Sequence, residues 1–476
     1  MPLAPVQLGT RSNQGRFGYD GDARLINCYA EPIGREGKVP YPIYASDGFA
    51  SFATTTGQGG MRAALELNGF LYVVGSVVSR VDTTGTATEL GGIASHGLVT
   101  MARNRRSVPQ IAIVCDGAFY VVENNVLTQV ADADLPSPTS VTHLDGYFVF
   151  QIPDGRMFSS GIDNYTVDGL DFATAEANPD GGVRIFTRGR DLISFGSKST
   201  EFWQNTGGEN FPFSRTTSID VGCLAPGSVA SVLLKSGGVS DAVGFVGTSN
   251  DGAYAGVMLM QGYAPQKIST PQCDRDILAE ADPTQVVGYS WQQGSHSFYA
   301  VAGDNFTWVY DAATGLPHER RSYGLNRWRP SVAVAFAGST IFGDYASPKL
   351  FRSSSTAYDE AGKPIVMEVH TPPVHAYPSP LLYNRVFVDV LPGQGLNSSG
   401  DELDPLIAIS YSEDGGGTWS NERLCAIGRQ GDRTRRVVEN RWGKSGEDGR
   451  TWRFRMSAGV VKGLTGCAMD VEKLLP

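Results

Sequence analysis

Asn68-Gly69-Phe70-Leu71-Tyr72-Val73-Val74, Asp116-Gly117-Ala118-Phe119-Tyr120-Val121-Val122 and Asp145-Gly146-Tyr147-Phe148-Val149-Phe150 share one shape, a turn dipeptide followed by an aromatic-rich apolar run. Asn-Gly and Asp-Gly accept the positive φ angles of a two-residue hairpin turn. The runs after them carry the β-branched and aromatic residues that suit a strand. Looser versions follow at Arg190-Asp191, Gly294-Ser295 and Ala337-Gly338, each again ahead of an apolar run. A second strand usually comes next, as in Ser79-Arg80-Val81, Glu201-Phe202-Trp203, Thr307-Trp308-Val309-Tyr310 and Lys349-Leu350-Phe351.

Seven such units start near residues 61, 96, 138, 181, 227, 286 and 329. A hairpin unit every ~43 residues fits the ~40–50 residues of known propeller blades. The chain therefore reads as all-β, with a seven-bladed β-propeller over residues 48–360. Six blades is the alternative, since the fifth unit is irregular and the seventh is short. The stretch Gly48-Phe49-Ala50-Ser51-Phe52-Ala53 is placed to supply the outer strand of the last blade and close the ring. Helical periodicity is confined to a turn or two around 274–281.

Outside these units the pattern changes. Residues 361–476 carry new strands at 385–390, 406–411 and 451–456. In the last, alternation puts Trp452, Phe454 and Met456 on one face and polar neighbours on the other. This predicts a small β-sandwich platform, with Pro372, Pro373, Pro378 and Pro380 marking its linker to the propeller. The arm 1–47 is too short to bury a core alone, so it is expected to pack on that platform.

Composition agrees with a turn-rich β protein. Among 476 residues there are 58 glycines, and charged residues make up 18%, below the ~25% usual for soluble domains. The formal net charge of −10 argues against a protein that coats nucleic acid over its whole surface. Cys28, Cys115, Cys223, Cys273, Cys425 and Cys467 show no CxxC spacing and read as free buried thiols made in a reducing cytoplasm. Met1-Pro2-Leu3-Ala4-Pro5 lacks the basic and apolar regions of a leader, and no run approaches a membrane span, predicting a soluble, non-exported chain.

Chemistry-bearing motifs are few. His96, His143, His296, His318, His370 and His375 form no metal-binding spacing, and no nucleophile elbow or phosphate loop occurs. Neither a catalytic residue nor a cofactor is therefore expected.

Ser412-Glu413-Asp414-Gly415-Gly416-Gly417-Thr418-Trp419 spells an Asp-box, S-x-D-x-G-x-T-W. Ser412, Asp414, Gly416, Thr418 and Trp419 would build a turn satisfied by its own side chains, with Trp419 buried beside the incoming strand. The box is familiar from sialidases, so an Asp-box glycosidase with a tyrosine nucleophile, or a carbohydrate-binding propeller without catalysis, stands as the alternative function. One box, outside the blades, weighs against both.

Behind the box, residues 421–455 hold ten basic and five acidic side chains, a net +5 in a chain of −10. Arg423, Arg429, Arg433, Arg435, Arg436, Arg441, Arg453 and Arg455, with Trp442 among them, are candidates for a face that docks an acidic partner or for a lining that meets DNA phosphates. The competing reading is a solvated hairpin with weak surface ion pairs.

Taken together, several stretches resemble one phage family. Asn27-Cys28-Tyr29-Ala30-Glu31-Pro32 is similar to its N-x-Y-x-E-P signature, and 412–422, Ile427-Gly428, Arg435-Arg436-Val437, Arg441-Trp442-Gly443 and Trp452-Arg453-Phe454-Arg455 follow in its order. The family is that of the packaged-DNA stabilisation or tail nozzle proteins of short-tailed bacteriophages. The resemblance implies a structural virion protein without catalysis, made in the host bacterial cytoplasm and placed at the distal end of the tail. It further implies a homohexameric ring below the portal and adaptor rings, in contact with the adaptor and with the tail needle or receptor-binding tail proteins. Packaged double-stranded DNA would pass through its lumen, with no small-molecule substrate.

Overall fold

The computed structural model describes residues 4–17, 21–34, 39–175, 178, 180–234, 240–249, 255–397 and 400–475. Met1-Pro2-Leu3, where the leader argument begins, and residues 18–20 and 35–38 of the arm lie outside them.

Seven antiparallel sheets stand in a ring. Blades one to four are plain four-stranded units spanning 63–92, 99–130, 140–174 and 182–219. Blade five adds a short strand, Val221–Cys223, at the far end of its long Ser240–Ser249 strand, which accounts for its irregular sequence. Blade six comprises Val287–Gln293, His296–Ala302, Thr307–Asp311 and Leu316–Glu319. Blade seven takes Pro330–Phe336, Ser339–Asp344 and Lys349–Ser354, and its fourth strand is Gly48–Thr54 from before blade one, paired Lys349↔Thr54 through Ser354↔Gly48. Strands from both ends of the propeller thus lock the ring, and the Ser331 hydroxyl donates to the Met61 carbonyl across the seam (2.6 Å).

The quoted dipeptides are two-residue turns with both φ angles positive: Asn68 and Gly69 at 52° and 76°, Asp116 and Gly117 at 50° and 74°, Asp145 and Gly146 at 50° and 94°. Such turns match the right-handed twist of the strands they join. They do not occupy one blade position. Asn68-Gly69 and Asp145-Gly146 join first to second strands, while Asp116-Gly117 joins second to third. The repeat is one of hairpin chemistry, because a two-residue hairpin asks for the same turn wherever it falls in a blade. The helical signal becomes helix Pro271–Ala279, capped by the Thr270 hydroxyl, which accepts from the Cys273 N–H.

The sandwich is fused to blade six edge to edge. Beyond Leu316–Glu319 the same sheet continues through Asp22–Ile26, Met367–His370, Thr451–Met456 and Leu406–Ser412 to Arg423–Ala426. The facing sheet runs Cys28–Ala30, Ile43–Ala45, Gly463–Lys473, Leu381–Val390 and Val437–Lys444, with Ala4–Pro5 also along Gly463–Lys473. Leu25, Val369, Ile407, Ile409, Trp452, Phe454 and Met456 from one sheet meet Cys28, Ile43, Tyr383, Val386, Val388 and Met469 from the other in one core. Trp452, Phe454 and Met456 all point inward, as their alternation requires.

The prolines sit elsewhere than the sequence suggested. Pro372, Pro373, Pro378 and Pro380 come after the sandwich strand Met367–His370 and before Leu381–Val390, so they carry the chain from one sandwich sheet to the other. Residues without an N–H cannot continue a ladder, and this is where the chain must leave one ladder for another. The propeller instead hands over through a small hairpin, Asp359–Glu360 with Lys363–Pro364. All six cysteines are buried and unpaired with one another.

Candidate functional site

The Asp-box links Leu406–Ser412 to Arg423–Ala426. The Ser412 hydroxyl accepts from the Gly416 N–H (2.8 Å) and donates to Asp414 Oδ1 (2.6 Å). Asp414 in turn accepts from the Thr418 N–H (2.8 Å) and hydroxyl (2.6 Å). Bonds from Ser412 and Thr418 hold the Asp414 pKa down at about 2. Gly416, at φ 94°, lies against the arm, where a Cβ would come within 2.4 Å of Asp22 Oδ2. Trp419 is only half buried; it packs on His370 (ring centroids 4.8 Å apart) and under the Arg453 guanidinium (4.3 Å). The core position expected for it is taken by Trp452, because Trp419 lies over the polar outer face of the sheet.

Asp414→Ala should cost ~1–2 kcal/mol, the loss of charge-assisted bonds in a half-exposed turn. Because the folded pKa is depressed, this contribution is present above pH ~3.8 and is lost as pH falls through about 2. Urea unfolding of the variant at neutral and acid pH measures both; an unchanged midpoint at neutral pH would count against the turn's role.

Under the box lies a buried charge cluster joining three parts of the chain. His370 Nδ1 is 2.7 Å from Asp22 Oδ2 in the arm, and its Nε2 is 2.7 Å from Glu368 Oε1. Glu368 also receives Arg455 (3.1 Å). One strand over, Arg24 forks onto Glu319 of blade six, which Arg321 also contacts (3.0 Å). Burial opposes charge on His370, but hydrogen bonds to two carboxylates outweigh it and raise its pKa. Burial likewise opposes the Glu368 carboxylate, yet the His370 bond and nearby arginines hold it at about 2.

The signs follow from linkage. The His370 contribution is complete below pH ~6.5 and fades as pH rises through its higher folded value; that of Glu368 is complete above ~4.5 and fades toward about 2. Stability should therefore decline above neutrality, and His370→Gln should flatten that slope. Melting temperatures of both proteins between about pH 5 and about pH 9 check this.

The candidate docking residues separate into two groups. Arg423 lies over Trp442 (3.9 Å) and donates to the Asn440 and Arg441 carbonyls (2.7 and 3.0 Å), tying one sheet edge to the other. Trp442 is buried against Trp452 (4.9 Å), with its indole N–H on the Glu439 carbonyl (3.2 Å). Arg453 donates to Ser410 (3.1 Å), and Arg455 pairs with Glu422 (2.6 Å). Trp442 is thus held in the sandwich core, and the three arginines are tied to the sandwich's own groups at its edge and outer face.

Arg429, Arg433, Arg435 and Arg436 are exposed together on the loop between Arg423–Ala426 and Val437–Lys444. Arg441 joins them at a bulge in the second strand, at φ 60°. Exposed Leu424 and Val438 flank the loop. Sequence reasoning did not single out Arg450. It is buried against Tyr411 (3.7 Å) and bonded to Glu413 (2.7 Å) and to the carbonyls of Trp442 and Lys444. Its one signal was a place immediately before the inward-facing Thr451–Met456 run.

At the propeller mouth, where the inner strands begin, a cavity of about 450 Å³ is lined by Arg62, Glu280, Asp282, Asp304 and Arg327 among others. Arg62 there donates to the carbonyls of His96 and Gly97 (2.6 and 3.1 Å).

Fold and site together define an all-β protein, a propeller fused edge to edge to a sandwich with an arginine-rich outer loop. Two family profiles match it in order: "Bacteriophage P22 Gp10, beta-propeller" over residues 22–357 and "Bacteriophage P22 Gp10, beta-sandwich" over 367–472. The chain belongs to this phage stabilisation family, a family of virion tail proteins. No curated protein sequence matches it. Similar solved structures include the computationally designed Ika8 protein (12% identity, TM-score 0.38, covering 64% of this chain and 100% of that one). The WD40 propeller domain of Doa1 (13%, 0.39, 64% and 96%) and YCF48 bound to D1 peptide (10%, 0.38, 64% and 95%) are others.

Proposed function

We propose that this chain forms the ring-shaped nozzle at the distal end of a short phage tail, six copies extending the DNA channel below portal and adaptor. The ring helps retain packaged DNA until ejection, and the tail needle or receptor-binding proteins attach to it. The role requires no catalytic residue, metal or cofactor. The carrying observation is that both modules of the chain match one phage stabilisation family in order, over 22–357 and 367–472.

In this reading residues 48–360 are the propeller, 361–476 the platform and 1–47 the arm that packs on it. The exposed loop arginines dock the platform on the adaptor or on a neighbouring subunit. The acidic balance of the chain suits a conduit, since like charge keeps DNA from sticking to the wall. Phage particles made without this protein are expected to lose their DNA and to show a truncated tail by electron microscopy. Particles that keep their DNA behind an intact tail tip would refute the role.

A further inference from the structure

The charge of this chain is segregated. Between residues 116 and 174 stand nine carboxylates (Asp116, Glu123, Asp132, Asp134, Asp145, Asp154, Asp163, Asp168 and Asp171) and one basic residue, Arg156. That is −8 in 59 residues, against +5 in the 35 residues 421–455.

The fold places these two segments far apart. Five strands continue the blade-six sheet beyond its own outer strand, ending at Arg423–Ala426. At ~4.8 Å per strand the arginine loop sits ~24 Å farther out than the blade edge. In a ring of seven, blades two and three stand across from blade six. They contain the acidic segment, so the molecule has a basic pole and an acidic pole on opposite sides.

Both poles are sheet edges with apolar side chains in the open. Val167–Thr174 is the outermost strand of blade three. It exposes Leu170 (74%), Ile162 (65%) is exposed in the connection leading to it, and Val126 (60%) is exposed on the outer strand of blade two. At the other pole Leu424 is 63% exposed on the outermost strand of the long sheet. Apolar patches rimmed by charge mark association surfaces, and open sheet edges invite pairing. Asp168 and Asp171 crowd one another: burial and then Asp168 raise the pKa of Asp171. A cation brought against them would relieve that repulsion.

We propose that the arginine–leucine edge of the sandwich in one copy seats against the acidic, apolar outer edge of blades two and three in a second copy, head to tail. The inference rests on the ring proposed above and names the contact that closes it. A cyclic ring needs two different, mutually complementary faces on each subunit, well separated on its surface. These poles meet that requirement. Like poles repel, so a back-to-back dimer is disfavoured.

Charge reversal tests the contact on assembled tails. Asp168→Arg with Asp171→Arg reverses the charge locally on the outer strand of blade three, taking residues 116–174 from −8 to −4; Arg433→Glu with Arg436→Glu reverses it locally on the loop, taking residues 421–455 from +5 to +1. Each variant, supplied alone in place of the unaltered protein while particles are assembled, is expected to lower DNA retention and ring occupancy at least ~10-fold, since like-charge juxtaposition at the contact costs several kcal/mol. An equal mixture is expected to recover to within about threefold of the unaltered protein, because each variant then meets an opposite face. This recovery also shows that both variants fold.

Rings from either variant alone at normal occupancy would overturn the contact while leaving the nozzle reading intact. So would two inactive variants that fail to complement each other. Particles assembled with the unaltered protein that keep their DNA without a ring would bring down the ring reading and this contact with it.

Discussion

Arg24→Ala is expected to destabilise the protein by ~3–5 kcal/mol and to split its unfolding into two steps, because it strands a buried carboxylate at the thinnest seam of the fold. Among the described residues, the Asp22–Ile26 strand is the one strand that bridges blade six and the sandwich within the long sheet. Its backbone meets blade six at a single parallel pair, Ile26↔Glu319, whereas three pairs join it to Met367–His370. Side chains must carry the rest. Arg24 Nε donates to Glu319 Oε1 (2.9 Å), and Nη2 reaches the second oxygen.

Without the fork Glu319 stays buried with Arg321 as its remaining ion-pair partner. Arg24→Lys keeps the charge but loses the two-pronged geometry, so it should recover only part of the loss. Urea unfolding followed by circular dichroism and by tryptophan fluorescence measures this. One coincident transition at the parent midpoint would refute the seam.

Trp452→Ala should cost a similar ~3–5 kcal/mol, by emptying the centre of the sandwich. Trp452 is wholly buried, with Trp442, Tyr383 and Tyr411 at 4.9, 5.4 and 5.7 Å between ring centroids. The same collapse would release Trp442 and the strand that positions the arginine loop, so particles carrying the variant should also lose DNA. Trp452→Phe should be far milder, ~1 kcal/mol or less, because it keeps most of the ring volume. It also removes an indole N–H that finds no acceptor among the described residues. Denaturant midpoints of the two variants give the comparison; equal losses would show that the indole N–H is engaged after all.

The N-terminal signature shows how far the sequence could be read. Asn27, Tyr29 and Pro32 were legible as a motif, but nothing local says what they hold. In the fold Asn27, at φ 55°, accepts from the Arg321 N–H (2.8 Å) and donates to the carbonyls of Arg321 and Val366 (2.9 and 3.0 Å). Tyr29 packs on His296 and Phe298 of blade six. The motif is a clasp between modules, and its partners lie some 294 and 339 residues away. The basic segment divides in the same way. Arg423, Arg453 and Arg455 looked like Arg433 and Arg436 in the sequence. Only strand placement shows that the first three lie on ladders beside carbonyls, carboxylates and indoles, while the last two lie on a loop.

The hairpin units, the short helix, the inward face of 451–456 and the closing role of 48–53 came from the sequence alone. Turn chemistry and side-chain alternation are written within a few residues of the structure they specify. The tertiary structure alone decided that the prolines cross between sandwich sheets and that blade six runs on into the sandwich. It also decided that Asp22 meets His370 across 348 residues. A strand's own pattern says which face is buried but not which edge it will join. That choice depends on the combined burial and hydrogen bonding of every segment at once.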